Sequence, residues 1–335
     1  MATELDKRCR ALVAELGLGM PGDVEEVVPL TGGVASDIAM LRVGERQICA
    51  KFALPKLKVS ADWFAPVHRN AAEYAWLKVA ADVSPESAVQ LFGRSETQHG
   101  FAMEYLAGDD VYLWKTALLD EVPDQGEAAR VADTVGRIHA VSARSRFDRA
   151  PFQNSDDFHA LRIDPYLKYT AGLHPGLAQQ IGALADMLYD NRQVLVHGDV
   201  SPKNILFRAG RPILLDAECA SMGDASFDPS FCLNHLVLKA AHLPGSRGRL
   251  LEDVGVFWKS YEPHVGWEPA GDLEARICRL VPALMLARVD GKSPVEYLRE
   301  PVKAKIRQTA IDLLKNPSDH LDHFSSRLAK EFKDI

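Results

Sequence analysis

One stretch constrains this chain more than any other: Leu195-Val196-His197-Gly198-Asp199-Val200-Ser201-Pro202-Lys203-Asn204-Ile205-Leu206-Phe207, with Ile213-Leu214-Leu215-Asp216 close behind. Ile205-Leu206-Phe207 and Ile213-Leu214-Leu215 are short, apolar and β-prone, and Arg208-Ala209-Gly210-Arg211-Pro212 between them supplies turn residues. The spacing predicts a hairpin. In an antiparallel pair the residue entering the first strand lies near the residue leaving the second, here Asn204 and Asp216, so two oxygen ligands converge at one end. Hard oxygens of this kind suit Mg2+, which fills its remaining positions with phosphate and water. Asp199, one tight turn before Asn204, faces the same space as a base or as an orienter of an attacking hydroxyl. Asp and Asn are also ordinary turn formers, since their side chains bond nearby backbone. It is the joint occurrence of Asp199, Asn204 and Asp216 in one frame that points to chemistry.

A length of 335 residues suits two domains or a bilobal fold, and 47% hydrophobic with 25% charged residues describes an ordinary globular chain with a sizeable core. The net charge of -7 argues against a nucleic-acid footprint, which needs clustered Lys and Arg, and is compatible with a cationic substrate. No apolar run approaches a membrane span, and no signal-peptide core follows the mixed-charge start, so the cytoplasm is the expected address. Cys9, Cys49, Cys219, Cys232 and Cys278 are odd in number and widely spaced, which favours reduced thiols over zinc ligands or a disulfide framework.

Along the chain, apolar residues at spacings of three and four predict a covering helix over 5–16. Strands are expected over 24–29, 38–43 and 48–52, with a loop over 31–37 that contains Gly32, Gly33 and Ser36. A glycine pair there allows close backbone approach to a phosphate, or is simply a hairpin turn. Lys51 sits in an otherwise apolar strand and is therefore either on the solvent face or paired. A helix from Asn70 carries Glu73 in its first turn, where it can pair with Lys51 or favour the helix dipole. Strands follow over 89–92 and 100–106. The backbone of Glu104 to Leu106, with Met103 beside it, is suited to holding a flat base, or else is an interior strand reaching the surface. Beyond Gly108 the pattern turns helical: 128–142 with His139 as a core residue, 177–188, 231–241, 250–261, 273–289, 301–314 and 320–332.

His197-Gly198-Asp199 with Asn204, then Asp216-Ala217-Glu218, then Gly223-Asp224-Ala225-Ser226-Phe227-Asp228, resemble the aminoglycoside phosphotransferase and choline kinase group of small-molecule kinases. Weaker likeness extends to Gly32-Gly33 with Ser36, to Lys51, to Glu104-Tyr105-Leu106-Ala107-Gly108 and to Gly136-Arg137-Ile138-His139, so that about residues 25 to 235 are covered. The resemblance implies an α+β, bilobal protein-kinase-like fold: residues 1–106 as a nucleotide-binding lobe with a small antiparallel sheet, and residues 107–335 as a mainly helical catalytic and substrate-binding lobe. It implies ATP and Mg2+ as cofactors and transfer of the γ-phosphoryl group to a small-molecule hydroxyl. Asp199 would be the catalytic base, and Asn204 and Asp216 the metal ligands. Lys51, held by Glu73, would contact the α- and β-phosphates. Gly32, Gly33, Ser36, Met103, Glu104 and Leu106 would complete the nucleotide site. His197 would brace the catalytic loop, Asp228 would tie it down, and Glu218 would support a second metal or the loop. Asp37 departs from the family, which often has Asn there, and Ser201 and Lys203 stand at variable positions. The implied partner is a small-molecule acceptor, with no nucleic acid, membrane or obligatory protein partner. Phe227 to Leu236 also resembles methylthioribose kinases, so a sugar-like acceptor stands beside an aminoglycoside or amino alcohol. A protein kinase is opposed by the lack of an Ala-Pro-Glu triplet and of room for an activation segment. A catalytically silent nucleotide-binding module is opposed by the intact Asp199, Asn204 and Asp216.

Overall fold

The computed structural model describes residues 3–30, 36–56, 58 and 66–335. The chain divides into two compact units, Met1–Val111 and Tyr112–Ile335. Gly32 and Gly33 lie outside the described residues.

The first unit is built on a five-stranded sheet. Helix α1 (Glu4–Glu15) precedes β1 (Val24–Pro29), β2 (Ser36–Val43) and β3 (Arg46–Ala53), and helix α2 (Arg69–Val83) precedes β4 (Leu91–Ser95) and β5 (Gly100–Glu104). The strands run in the order β1-β2-β3-β5-β4, with every pair antiparallel. Cys9, Leu12 and Val13 of α1 are buried in one cluster with Leu41, Ile48 and Phe52 of the sheet, so the helix covers one face as its periodicity predicts.

Several local expectations are corrected here. Ser36 and Asp37 belong to β2 and not to a loop, because the ladder continues to Ser36 opposite Ala53. Asp37 pairs there with Lys58 at 2.8 Å and Arg8 at 3.7 Å. Helix α2 begins at Arg69, whose guanidinium donates to the carbonyls of Pro66 and Leu54, so Glu73 stands past the first turn and is no N-terminal acid. Strand β4 starts at Leu91, and its register shifts between Leu91 and Gly93. Strand β5 ends at Glu104, leaving Tyr105 and Leu106 outside it.

The second unit is mostly helical. It begins within the short strand β6 (Val111–Leu113) and continues through α3 (Trp114–Leu119), α4 (Glu127–Ser142), α5 (Ser155–Phe158), a π-helical segment (His159–Lys168), α6 (Tyr169–Leu173) and α7 (Ala178–Asp190). Three short strands, β7 (Val194–Val196), β8 (Ile205–Arg208) and β9 (Arg211–Leu214), frame the polar turn, and β10 (Ser221–Gly223) pairs with β7. The remainder is α8 (Phe227–His242), α9 (Arg247–Tyr261), α10 (Ala270–Asp290), α11 (Glu300–Lys315) and α12 (Leu321–Glu331). The core runs through α8, buried over nearly its whole length, and through α10, whose Ile277, Val281 and Leu284 are fully buried. A helix that is buried all round sits at the centre of its unit, where a polar side chain must find a partner or serve a purpose.

Candidate active site

The turn at residues 197–204 is held by strands on either side and by one carboxylate beneath. Strand β8 pairs with β9 from Ile205 opposite Leu214 to Arg208 opposite Arg211. The Leu215 N–H extends the ladder by donating to the Asn204 carbonyl at 2.9 Å. Asp216 is the next residue, at φ 70°, in the left-handed region that Asp enters more readily than most residues. The hairpin thus brings the Asn204 and Asp216 backbones to one end, as its sequence predicts.

Asp228, in the first turn of α8, receives the backbone N–H of His197 at 2.6 Å on Oδ2 and that of Gly198 at 2.9 Å on Oδ1. His139 Nε2 lies 3.3 Å from the same Oδ2, and its Nδ1 is 2.7 Å from the Tyr261 hydroxyl. A fully buried carboxylate with two backbone donors and an imidazole is well satisfied, and it fixes the two residues before Asp199. Gly198 is at φ 81°, and a Cβ there would fall 2.7 Å from Cys219 Cβ, so only glycine fits.

Asp199 is buried, and both of its oxygens are engaged. Ser201 Oγ donates to Oδ1 at 3.0 Å, Lys203 Nζ lies 3.1 Å from Oδ2, and Arg162 Nη2 lies 3.0 Å from Oδ2. Arg162 also donates through Nε to the Gly198 carbonyl. Burial pushes the Asp199 carboxyl up, but Lys203 and Arg162 outweigh it and hold the group well below the usual carboxylate range. Burial lowers the His197 imidazole, so that it stays neutral, and its Nδ1 accepts from the Asp199 N–H at 3.2 Å. Arg162 went unnoticed in the sequence because it lies in the π-helical segment, whose wider turn breaks the 3.6-residue period.

Asn204 donates through Nδ2 to the Asp199 carbonyl at 3.2 Å, and its Oδ1 accepts no hydrogen bond among the described residues. The carboxylate oxygens of Asp216 and Glu218 approach within 4.8 Å of one another. An amide oxygen and carboxylates are hard donors, and they fit Mg2+ or Ca2+ far better than a soft metal.

In the first unit, Lys51 faces Glu73 across a 2.8 Å ion pair, with the side chains 3% and 2% exposed. Lys51 lies opposite Ile38 and Phe101 in the centre of the sheet. Cys49, two residues before it on the same strand, is pushed up to about 12 by burial and is an inert thiol. Ser36 is buried at the start of β2, and Met103 is buried in β5. The Glu104 carboxylate accepts from the Gln90 N–H at 3.2 Å, and Leu106 is half-buried beyond the strand.

The family model described as the phosphotransferase enzyme family matches residues 26–264, more than half of the sequence. The chain belongs to that family. Among curated relatives, a methylthioribose kinase of Pectobacterium atrosepticum is 28% identical over 127 residues, 35% of this chain and 28% of that kinase. The chain thus matches under a third of the length of that relative. Among solved structures, a choline kinase from Streptococcus pneumoniae superposes with a TM-score of 0.52 at 15% identity, covering 99% of this chain and all of that one. An amicoumacin kinase in complex with AMP-PNP and Ca2+ gives 0.52 at 14% identity, over 100% of this chain and 96% of the other. These likenesses establish the fold of the phosphotransferase family, α+β and protein-kinase-like, with its antiparallel sheet in the N-terminal region and helices in the rest. Among the described residues no helix is long and apolar enough to cross a membrane.

Proposed function

We propose that the chain is an ATP- and Mg2+-dependent kinase that moves the γ-phosphoryl group of ATP to a hydroxyl of a small molecule. Its family membership supports the reaction class, and the AMP-PNP and Ca2+ of the amicoumacin kinase support a nucleotide with a divalent ion. One observation carries the reading to this chain's own residues: a buried, ionised Asp199 in a turn braced by Asp228, with the Asn204 and Asp216 backbones at the adjoining hairpin end.

In this reading Asn204 and Asp216 hold Mg2+, which when bound would neutralise charge on the phosphates. Glu218 stands close enough to Asp216 to assist. Lys51 contacts the α- and β-phosphates and Glu73 keeps its ammonium in place. Met103, Glu104 and Leu106 receive the base, while Ser36, Gly32 and Gly33 approach the phosphates. Residues 1–106 then serve the nucleotide and 107–335 the acceptor and the chemistry. A carboxylate held this far below its ordinary range is a weak proton acceptor, so Asp199 orients the attacking hydroxyl and takes its proton late, as a loose phosphoryl transition state allows. The proposed compartment is the cytoplasm, which supplies ATP and keeps the five free, buried cysteines reduced. Asp216 is followed almost at once by β10 and α8, which leaves no length for a protein-kinase activation segment.

The test is ADP release from Mg-ATP with small alcohols as acceptors, in wild type, Asn204→Ala and Asp216→Ala. The two variants should lower turnover by roughly tenfold or more and raise the Mg2+ concentration needed. ADP release that survives chelation of every divalent ion would overturn the reading.

A further inference from the structure

The identity of the acceptor is the open question of the proposed function, and the second unit carries a second polar feature that bears on it. Phe231, His235 and Lys239 lie four residues apart on α8, so they share one face of a helix buried along nearly its whole length. Lys239 is 1% exposed, yet its ammonium makes neither a hydrogen bond nor an ion pair among the described residues. The ring of Tyr297 lies 5.3 Å from Nζ, and the buried Tyr297 hydroxyl has no hydrogen-bond partner among the described residues. Arg288 of α10 stands nearby at 8% exposure. Its Nη1 reaches the Ser293 carbonyl and hydroxyl and, at 3.5 Å, the Tyr166 hydroxyl, and among the described residues its buried Nε has no partner and no carboxylate forms an ion pair with it. The neighbouring acid, Glu296, is taken up by Lys115 at 2.6 Å.

This cationic group is continuous with the site at Asp199. The Arg162 guanidinium that pairs with Asp199 also lies 5.8 Å from the Phe231 ring. Tyr166 is 5.6 Å from that ring, and the Arg288 guanidinium is 5.9 Å from Tyr166. His235, midway between Phe231 and Lys239 on α8, feels Arg288, Lys239, Asp199 and Lys203. Arg162 and Lys203 already share the one carboxylate of Asp199, while Lys239 and Arg288 form no ion pair among the described residues. A buried cation with no counter-charge is costly, and the cost is removed when a ligand brings the missing charge.

We propose that the acceptor is an anionic hydroxy compound, one bearing a carboxylate or phosphate group, with that group received by Lys239 and Arg288 and its hydroxyl presented to Asp199. The proposal rests on the kinase reading above and narrows it. Eight residues of helix, at about 1.5 Å each, put Lys239 roughly 12 Å along α8 from Phe231, which lies beside the Arg162 that pairs with Asp199, and such a span suits a sugar phosphate or a short hydroxy acid. The local charge is opposite in sign to the whole chain's net -7, and it is unsuited to a polycationic aminoglycoside or a choline. Burial, reinforced by Lys115 and Arg288, holds the Lys239 ammonium down at about 7, and a bound anion would raise it again.

The experiment follows transfer of the labelled γ-phosphate of ATP to matched acceptors: glycerol, glycerate and glycerol 3-phosphate, then ribose and ribose 5-phosphate, with choline, ethanolamine and kanamycin as cations. Within each set the anionic member should have the higher kcat/KM, by roughly tenfold or more. For the best anion, Lys239→Met should raise KM by about tenfold with kcat within about threefold. Lys239→Arg should restore most of the loss, and Arg288→Gln should repeat the KM effect independently. A neutral or cationic acceptor that equals or exceeds its anionic counterpart overturns the anionic acceptor and leaves the kinase standing. So does a KM that ignores both substitutions. Failure of every acceptor, and of water, to take phosphate from Mg-ATP overturns the kinase reading and this inference with it.

Discussion

Two buried lysines, one in each unit, are built in opposite ways. Lys51 in the first unit has Glu73 at 2.8 Å and is neutralised inside the protein. Lys239 in the second is buried as deeply and forms no ion pair among the described residues, its neighbour Glu296 being paired with Lys115. A buried ion pair that is already complete is a fixture: its geometry is ready before any ligand arrives, as a phosphate-positioning lysine requires. A buried cation left incomplete is a binding feature whose charge balance waits for something to enter. On the proposed reading, the contrast sets a preformed ion pair that serves the nucleotide apart from a buried cation that serves the acceptor.

The sharpest way to break the comparison is to make Lys51 resemble Lys239. Glu73→Ala removes the carboxylate 2.8 Å from the buried ammonium and should destabilise the first unit by about 3–5 kcal/mol, read by denaturant unfolding. The double change Lys51→Met with Glu73→Leu should recover most of that loss. Stability unchanged in Glu73→Ala would mean that the pair is not what neutralises Lys51.

Lys239→Met should act in the other direction. In the absence of acceptor it should raise stability at pH 7, on the order of 1–3 kcal/mol, by removing an unpaired buried charge. The sign of its pH dependence follows from linkage. The unfolded lysine keeps its proton to about pH 10.4. The folded one gives it up near 7, so the unfolded state binds more protons in between, and stability rises with pH across that window. Lys239→Met should flatten the slope relative to wild type. A pH profile indistinguishable from wild type would show that Lys239 has water or a partner in solution.

A smaller effect is expected where a carboxylate in the second unit is satisfied as fully as Glu73 satisfies Lys51. Asp228→Asn keeps the shape but offers one acceptor oxygen to the His197 and Gly198 N–H groups, which now use two. The expected loss is about 1–3 kcal/mol, together with lower kcat at unchanged KM for ATP, because the turn that carries Asp199 loosens. The smallest effect tests burial itself. Lys303 and Glu300 pair at 2.7 Å, as close as Lys51 and Glu73, but Glu300 is 79% exposed. Glu300→Ala should cost under about 1 kcal/mol and less still in high salt.

The sequence discloses the two kinds of element unequally. The hairpin at 205–216 and the helices of the second unit are legible because alternation, turn residues and 3.6-residue periodicity all agree there. The Lys51–Glu73 pair can be suspected from a lysine in an apolar strand, although the helix that supplies Glu73 begins earlier than its apolar pattern suggests. Arg162 and the residues around Lys239 are not legible in the same way. Arg162 lies in a π-helical segment, which departs from the 3.6-residue period of an α-helix. Lys239 looks like any helix-terminal lysine until the packing on all sides of α8 is known. Which face of a helix turns inward is a tertiary property, and the charge of an acceptor site depends on it.

The central claim is that Asp199 serves phosphoryl transfer and not the architecture of the turn. It is tested most directly by measuring ATP binding and γ-phosphoryl transfer side by side in wild type and Asp199→Ala. The account predicts an ATP Kd within about threefold of wild type and a turnover lower by about 10²–10⁴-fold. Turnover equal to wild type in a folded, ATP-binding Asp199→Ala protein would contradict it.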